Sequence, residues 1–186
     1  MCAVVPDRAE GMMAPAMAVA LVLRPVRVSD EHVVLAAQRT LRAEDFDFAV
    51  GLSDIRWPDY VAFLEAARRA TQLPPPWVPS TFLLAEVEGT VIGRTSIRHA
   101  LTDRLLLIGG HIGYAVLPQH RRRGYATEIL RQSIGIAHAL GIAPILVTCD
   151  EGNEASARTI ERCGGTLENV VDNPEGGQPK RRYWIN

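Results

Sequence analysis

The twenty residues from His111 to Leu130, HIGYAVLPQHRRRGYATEIL, hold a strand, a turn, an arginine-rich loop and the first turns of a helix. His111 to Leu117 alternates and is rich in β-formers, which suits a strand. Pro118 has no N–H for a sheet ladder and ends it. Arg121, Arg122 and Arg123 then lead to Gly124, and Thr127 and Glu128 open an amphipathic helix with Ile129, Leu130, Ile134 and Ala137 apolar. The first N–H groups of a helix are unpaired and lie at the positive end of its dipole. A loop that ends there, with a glycine allowing close backbone approach, is suited to holding phosphate. The Walker pattern fails because no Lys-Ser or Lys-Thr follows the glycine, and the dinucleotide pattern fails because its three spaced glycines are missing. An arginine-rich solvated turn is the plain alternative.

The chain's 186 residues suffice for one domain with a substantial core. Its 47% apolar and 22% charged residues are ordinary for a globular protein, and a net charge of −1 argues against holding nucleic acid by general electrostatics. Cys2, Cys149 and Cys163 show no metal-ligand spacing, so no metal is expected, and so sparse a set suits a reducing cytoplasm. The first twenty residues are apolar but broken by Pro6, Asp7, Arg8, Glu10 and Pro15, and no basic segment leads into a clean apolar core, so neither a membrane span nor a signal peptide is expected there. Residues 1–18 are expected to be a loose tail, and 19–186 a single domain.

In chain order, Ala20 to Val26 reads as a strand, and Ser29 offers an N-cap to a helix from Asp30 to about Leu41. A second helix is expected from Trp57 to Thr71, with Tyr60, Phe63, Leu64 and Ala67 on one face. After the stiff connector Leu73 to Pro79, strands at Thr81–Glu88 and Val91–His99 form a hairpin about Glu88-Gly89. Asp103 marks a turn, and the central strand is expected from about Leu106 to Val116. Gly141 closes the central helix. A buried strand at Ile145–Cys149 and a helix from Asn153 to Arg162 follow, the helix ending at Gly164-Gly165. Strands at Thr166–Asp172 and Arg181–Ile185 finish the chain. The order β-α-α-β-β-β-α-β-α-β-β implies an α/β or α+β domain, with about seven strands in a mixed, largely antiparallel sheet and about four helices.

Arg121-x-x-Gly124-x-Ala126, set after a strand and a hydrophobic-Pro step, resembles the pyrophosphate motif of the GNAT N-acetyltransferase family. The helix opened by Asn153-x-x-Ser156 and closed by Gly164-Gly165 resembles the second half of that family's cofactor site, and the element order matches its acyl-CoA N-acyltransferase fold. The resemblance implies a cytoplasmic enzyme that moves an acetyl group from acetyl-CoA to a primary amine by direct attack in a ternary complex. The alternative is a non-catalytic acyl-CoA sensor of the same fold. It further implies that Tyr114, Ala115 and Val116 pair with the pantetheine arm like an added strand, one of their N–H groups reaching the thioester oxygen. Arg121, Arg122, Arg123, Gly124, Tyr125, Ala126 and Thr127 are then expected to cradle the pyrophosphate, and Asn153 and Ser156 to touch the pantetheine or the adenosine. For Asn153, a simple N-cap is the alternative.

The sequence departs from the family where acid–base chemistry is usually placed. The common tyrosine position, seven after the Asn, is Ile160, and a common glutamate position is Thr148. His111 is the remaining base candidate, with His99 and Glu86 weaker, and Tyr114 is a candidate acid. Cys149 has no evident histidine to activate it, so a covalent acetyl-enzyme is disfavoured. For the acceptor, Glu44, Asp45 and Asp47 suit a cationic amine or are a solvated loop, and Lys180 to Trp184 suits an anion or simply ends the sheet. The partner is expected to be a small-molecule or peptide amine, not nucleic acid or membrane, and the resemblance leaves room for a homodimer.

Overall fold

In the computed structural model, residues 21–53, 55–71 and 73–186 are described. The expected tail, residues 1–18, and the proposed strand start at Ala20 lie outside them. Strand β1 (Val22–Pro25) leads through a 3-10 turn at Val28–Asp30 into helix α1 (Glu31–Arg42), which buries Val34, Ala37 and Leu41. That spacing sets them on one helical face. Helix α2 (Trp57–Arg68) buries Trp57, Tyr60 and Ala67 and stops short of the expected Thr71, where Ala70 takes a φ of 56°. The Trp57 indole donates to Val28 O at 2.7 Å, tying α2 to the chain before α1.

Strands β2 (Ser80–Val87) and β3 (Thr90–Arg98) form the expected hairpin. Glu88 and Gly89 both take positive φ, 48° and 76°, as a two-residue turn that follows the twist of its strands requires. The central strand β4 (Ile112–Val116) is shorter than expected. Residues from Leu106 onward were expected to extend it, but Asp103–Leu107 is a short helix, α3. The Thr102 hydroxyl caps α3 by accepting from Leu105 N at 3.2 Å, and Gly109 and Gly110 then turn the chain with φ of 111° and 59°. Leu106 and Leu107 remain exposed, so the apolar run is not a buried strand.

Helix α4 (Tyr125–Ala139) begins two residues ahead of the expected Thr127 and packs Ile129, Leu130, Ser133 and Ala137 inward. Strand β5 (Ile145–Asp150), helix α5 (Glu154–Arg162) and strands β6 (Thr166–Val171) and β7 (Lys180–Ile185) complete the chain. The seven strands fall into two antiparallel sheets, β1-β2-β3-β4 and β5-β7-β6, instead of one continuous sheet. Helices α1 and α2 cover one face of the first sheet over Phe82, Leu84 and Val91, and α4 covers the other over Ala85, Ile92 and Val116. A third cluster, with Ile112, Leu130, Val147, Ile160 and Tyr183, joins α4 and α5 to both sheets.

Candidate active site

The two sheets touch where β4 begins and part beyond it. His111 N donates to Leu146 O at 2.7 Å, and Leu146 N donates to His111 Nδ1 at 2.9 Å. Gly109 N donates to the Thr148 hydroxyl at 2.9 Å. A side chain at Gly110 would run into the Leu146 carbonyl, so this approach requires glycine. Past Ile112 no ladder joins β4 to β5, and a gap opens between them.

The ladder to β3 determines which β4 groups face that gap. Arg98 N donates to His111 O at 2.7 Å and Leu117 N donates to Ile92 O at 2.9 Å. Because antiparallel pairs alternate, residues 113 and 115 also bond toward β3. The peptide groups of Tyr114 and Val116 therefore face the gap, and Arg121 Nε already donates to Val116 O at 3.0 Å. Of the three residues expected to act through their backbone, Ala115 faces β3 instead and reaches the gap only as a lining residue.

At the mouth of the gap lies the start of α4. A 3-10 turn at Pro118–His120 leads to Arg122 at φ 63° and Gly124 at φ 80°. Nothing lies within 4 Å of where a Gly124 Cβ would stand, so it is the conformation and not crowding that favours glycine here. No side chain caps α4, and its first intrahelical donor is Glu128 N, bonded to Gly124 O at 3.2 Å. The N–H groups of Tyr125, Ala126 and Thr127 precede it, facing a cavity of about 670 Å³.

Tyr114, Ala115, Val116, Arg121, Arg122 and Gly124 line that cavity, with Tyr125, Ala126, Thr127, Asn153 and Ser156. Two expected site residues, His111 and Arg123, do not. Asn153 Oδ1 accepts from Ser156 N at 3.0 Å, so its carbonyl oxygen is committed as an N-cap. The Tyr114 hydroxyl lies 2.9 Å from Ser156 Oγ, and burial pushes its pKa up to about 12. Arg121 forks onto Glu44 at 2.6 and 3.1 Å, joining the phosphate-type loop to the loop after α1. Sequence reasoning passed over Arg158 and Arg162, which also line the cavity. They share a helix face with Ala155 and Thr159 and not with Asn153 or Ser156, so the motif residues gave no signal for them.

Several acid–base candidates have other commitments. In its neutral form His111 uses its one lone-pair nitrogen, Nδ1, to accept from Leu146 N, so Nε2 carries the hydrogen. Burial, and then the charge of Arg98, hold its pKa below the ordinary value. This geometry suits a clamp and not a base, because Nδ1 cannot accept a proton without giving up its bond from Leu146 N. His99 Nε2 is 2.9 Å from the Thr81 hydroxyl, and Glu86 is bonded to Arg24 at 2.6 Å. Burial pushes the Cys149 thiol up to about 11, far from a thiolate nucleophile. Ile160 is fully buried in the core. Lys180, Arg181 and Arg182 face Asp150, Glu154 and Glu168, finishing the second sheet.

A family model described as an acetyltransferase (GNAT) domain matches residues 20–166. Among curated proteins none matches the sequence. Solved structures share the fold. A microcin C7 self-immunity acetyltransferase in complex with acetyl-CoA and AMP is 17% identical, with 88% of this chain and 91% of that one covered and a TM-score of 0.63. A ribosomal L7/L12 α-N-protein acetyltransferase in complex with coenzyme A is 16% identical, with 91% and 95% covered and a TM-score of 0.65. An N-acetyltransferase from Staphylococcus aureus Mu50 is 17% identical, with 89% and 96% covered and a TM-score of 0.62. Among the described residues, no group of three or more His, Cys, Asp or Glu is placed to hold a metal, and no helix is long and apolar enough to cross a membrane.

Proposed function

This chain belongs to the GNAT acetyltransferase family, and from that premise we propose that it transfers an acetyl group from acetyl-CoA to a primary amine by direct attack within a ternary complex. The observation that carries the reading is the uncapped start of α4 at the mouth of the gap between β4 and β5. Helix starts left without a side-chain cap bind anions through their free N–H groups and dipole. The N–H groups from Arg122 to Thr127 hold the pyrophosphate, with Arg122 and Arg121 supplying charge. The gap-facing peptides of Tyr114 and Val116 take the pantetheine amides as an added strand.

One of those gap-facing N–H groups also receives the thioester oxygen as negative charge develops on it. The neutral amine attacks the acetyl carbon, the new C–N bond forms and the C–S bond breaks. Tyr114 hydrogen-bonds the departing thiolate and supplies its proton, the attacking nitrogen releases its own proton to solvent, and the phenol regains one from solvent. A phenol with a pKa near 12 is protonated throughout the neutral range but is a weak acid, so its contribution falls at the low end for general acids. Holding the two reactants together supplies much of the remaining acceleration. His111 keeps β4 and β5 joined at the closed end of the gap.

Calorimetric titration with acetyl-CoA, against dephospho-CoA and ATP, tests the cofactor half. Binding that requires the pantetheine arm is expected, and its absence would overturn the reading of the Arg121 to Ala126 loop. Release of free CoA thiol with an amine panel tests the transfer half. Tight binding with no thiol release from any amine would leave a non-catalytic acyl-CoA sensor.

A further inference from the structure

The face of the first sheet beneath α1 and α2 carries a buried arginine, Arg94, and a half-buried one, Arg98, neither of which has a carboxylate within ion-pair distance among the described residues. Arg94, Ser96 and Arg98 alternate along β3, and across the ladder stand Ala115, Gly113 and His111. The Arg94 guanidinium lies 4.8 Å from the Phe46 ring centre and 5.7 Å from that of Phe82. It donates to Gly113 O and Asp47 O, each at 2.9 Å, while its buried Nε has no partner among the described residues. Arg98 uses one nitrogen, Nη1, to reach Gly109 O at 3.1 Å and Gly110 O at 3.0 Å. Arg24, Arg104, Arg121, Arg181 and Arg182 each face a carboxylate, but among the described residues Arg94 and Arg98 do not.

The two guanidiniums converge on Gly113. A Cβ there would lie 3.6 Å from Arg94 Nη1 and 3.7 Å from both terminal nitrogens of Arg98. No other heavy atom comes closer, and Gly113 and Arg98 remain partly exposed, so a small opening with room for at least a methyl group lies between the two cations. Buried charges are ordinarily paired, because an unpaired one loses its hydration without compensation. Burial and, after it, the Arg98 charge bring Arg94 down to about 10, so Arg98 adds to the cost of burying Arg94. An anion between them would relieve both, and arginine forks suit a two-oxygen acceptor.

We propose that the opening over Gly113, flanked by Arg94 and Arg98, binds a carboxylate of the acceptor, so that the acceptor is a small amino-acid-like molecule. This rests on the acetyl-transfer reading above. Gly113 immediately precedes Tyr114, whose peptide faces the gap, and a strand advances about 3.3 Å per residue. A carboxylate held at Gly113 therefore lies a few ångströms from the thioester, which places amine and carboxylate only a few bonds apart. Phe46 and Asp47, from the loop after α1, close over the same arginine.

The Gly113 amide resonance of the isotope-labelled full chain, titrated with acetate, acetamide and inorganic phosphate, reads this site without turnover. A saturable shift with acetate and none with acetamide is expected. A charged hydrogen-bonded contact of this type also predicts that amino acids exceed their amides as acceptors by about ten- to a hundredfold in kcat/KM. Arg98→Gln should erase both effects. Gly113→Ala, which meets only ordinary contacts, should erase both by filling the opening while the melting temperature holds. Equal responses to acetate and acetamide, or amides acetylated as fast as acids, would overturn the proposal, and saturation by phosphate alone would replace carboxylate with phosphate. Acetate binding in a protein that does not bind acetyl-CoA would remove the transfer reading and leave the anion site standing.

Discussion

Helices α4 and α5 both begin beside the same cavity, and they begin differently. Helix α5 starts at Asn153, whose side chain accepts from Ser156 N at 3.0 Å. Helix α4 starts at Gly124, which has no side chain to offer. A capped start is complete in the free protein, whereas an uncapped one leaves its N–H groups for an external acceptor. Two helix ends lining one cleft can thus divide the work: α4 for the charged part of a ligand, α5 for shaping the wall and positioning the Tyr114 hydroxyl through Ser156.

The sharpest way to break this contrast is Gly124→Asp, which places a like charge where the pyrophosphate is proposed to sit. Acetyl-CoA affinity should fall by about a hundredfold or more, as expected when an uncompensated charge replaces a charge-assisted contact. Calorimetric titration reads the loss, and an unchanged far-UV spectrum shows the fold intact. Retained affinity would remove α4 as the anion site.

Next in size is Tyr114→Phe, which deletes the hydroxyl held by α5. Turnover should fall by about ten- to a hundredfold, at or below the low end for a general acid, with acetyl-CoA affinity unchanged. Since burial raises the phenol to about 12, the donor stays protonated as pH rises, so the wild-type rate should show no alkaline decline below about pH 10 from this group. A decline centred near pH 8 that disappears in the phenylalanine variant would contradict that environment.

Asn153→Ala sharpens the contrast from the other side. Loss of the cap should cost about 1 kcal/mol of stability in a denaturant titration, with acetyl-CoA affinity nearly unaltered. A loss of affinity as large as that of Gly124→Asp would mean that α5 also grips the ligand directly. The smallest effect is expected from Glu44→Gln, which frees Arg121 from its fork. The two side chains are each about 43% exposed, and an exposed pair contributes about 0–1 kcal/mol. Acetyl-CoA should bind a few-fold more tightly, and weaker binding would show that Glu44 positions Arg121 for the ligand.

How far these features were legible in the sequence depended on the range of the interactions behind them. The Glu88-Gly89 hairpin, the α4 start and the Asn153 cap follow from residues a few positions apart, where turn chemistry and helical spacing act directly. The apolar run Leu105 to Ile108 misled for the complementary reason: its residues suit a strand, but Thr102 capped a short helix and two glycines turned the chain. His111 drew attention as an isolated histidine on a strand. Its commitment to Leu146, 35 positions away, has no local signature. Nor does the joining of Arg121 to Glu44, 77 positions apart, although each residue was noticed separately.

By itself, then, the sequence determined the order of elements apart from α3, and a helix start suited to phosphate, because periodicity, caps and glycine positions act within a turn or two of the backbone. The tertiary structure alone decided that the strands divide into two sheets, which β4 peptides face the gap, and that two arginines meet over Gly113 with no carboxylate partner among the described residues. Those outcomes depend on hydrogen bonds and charges brought together by packing across long separations. No local pattern encodes them, because their energies exist only once the core has closed.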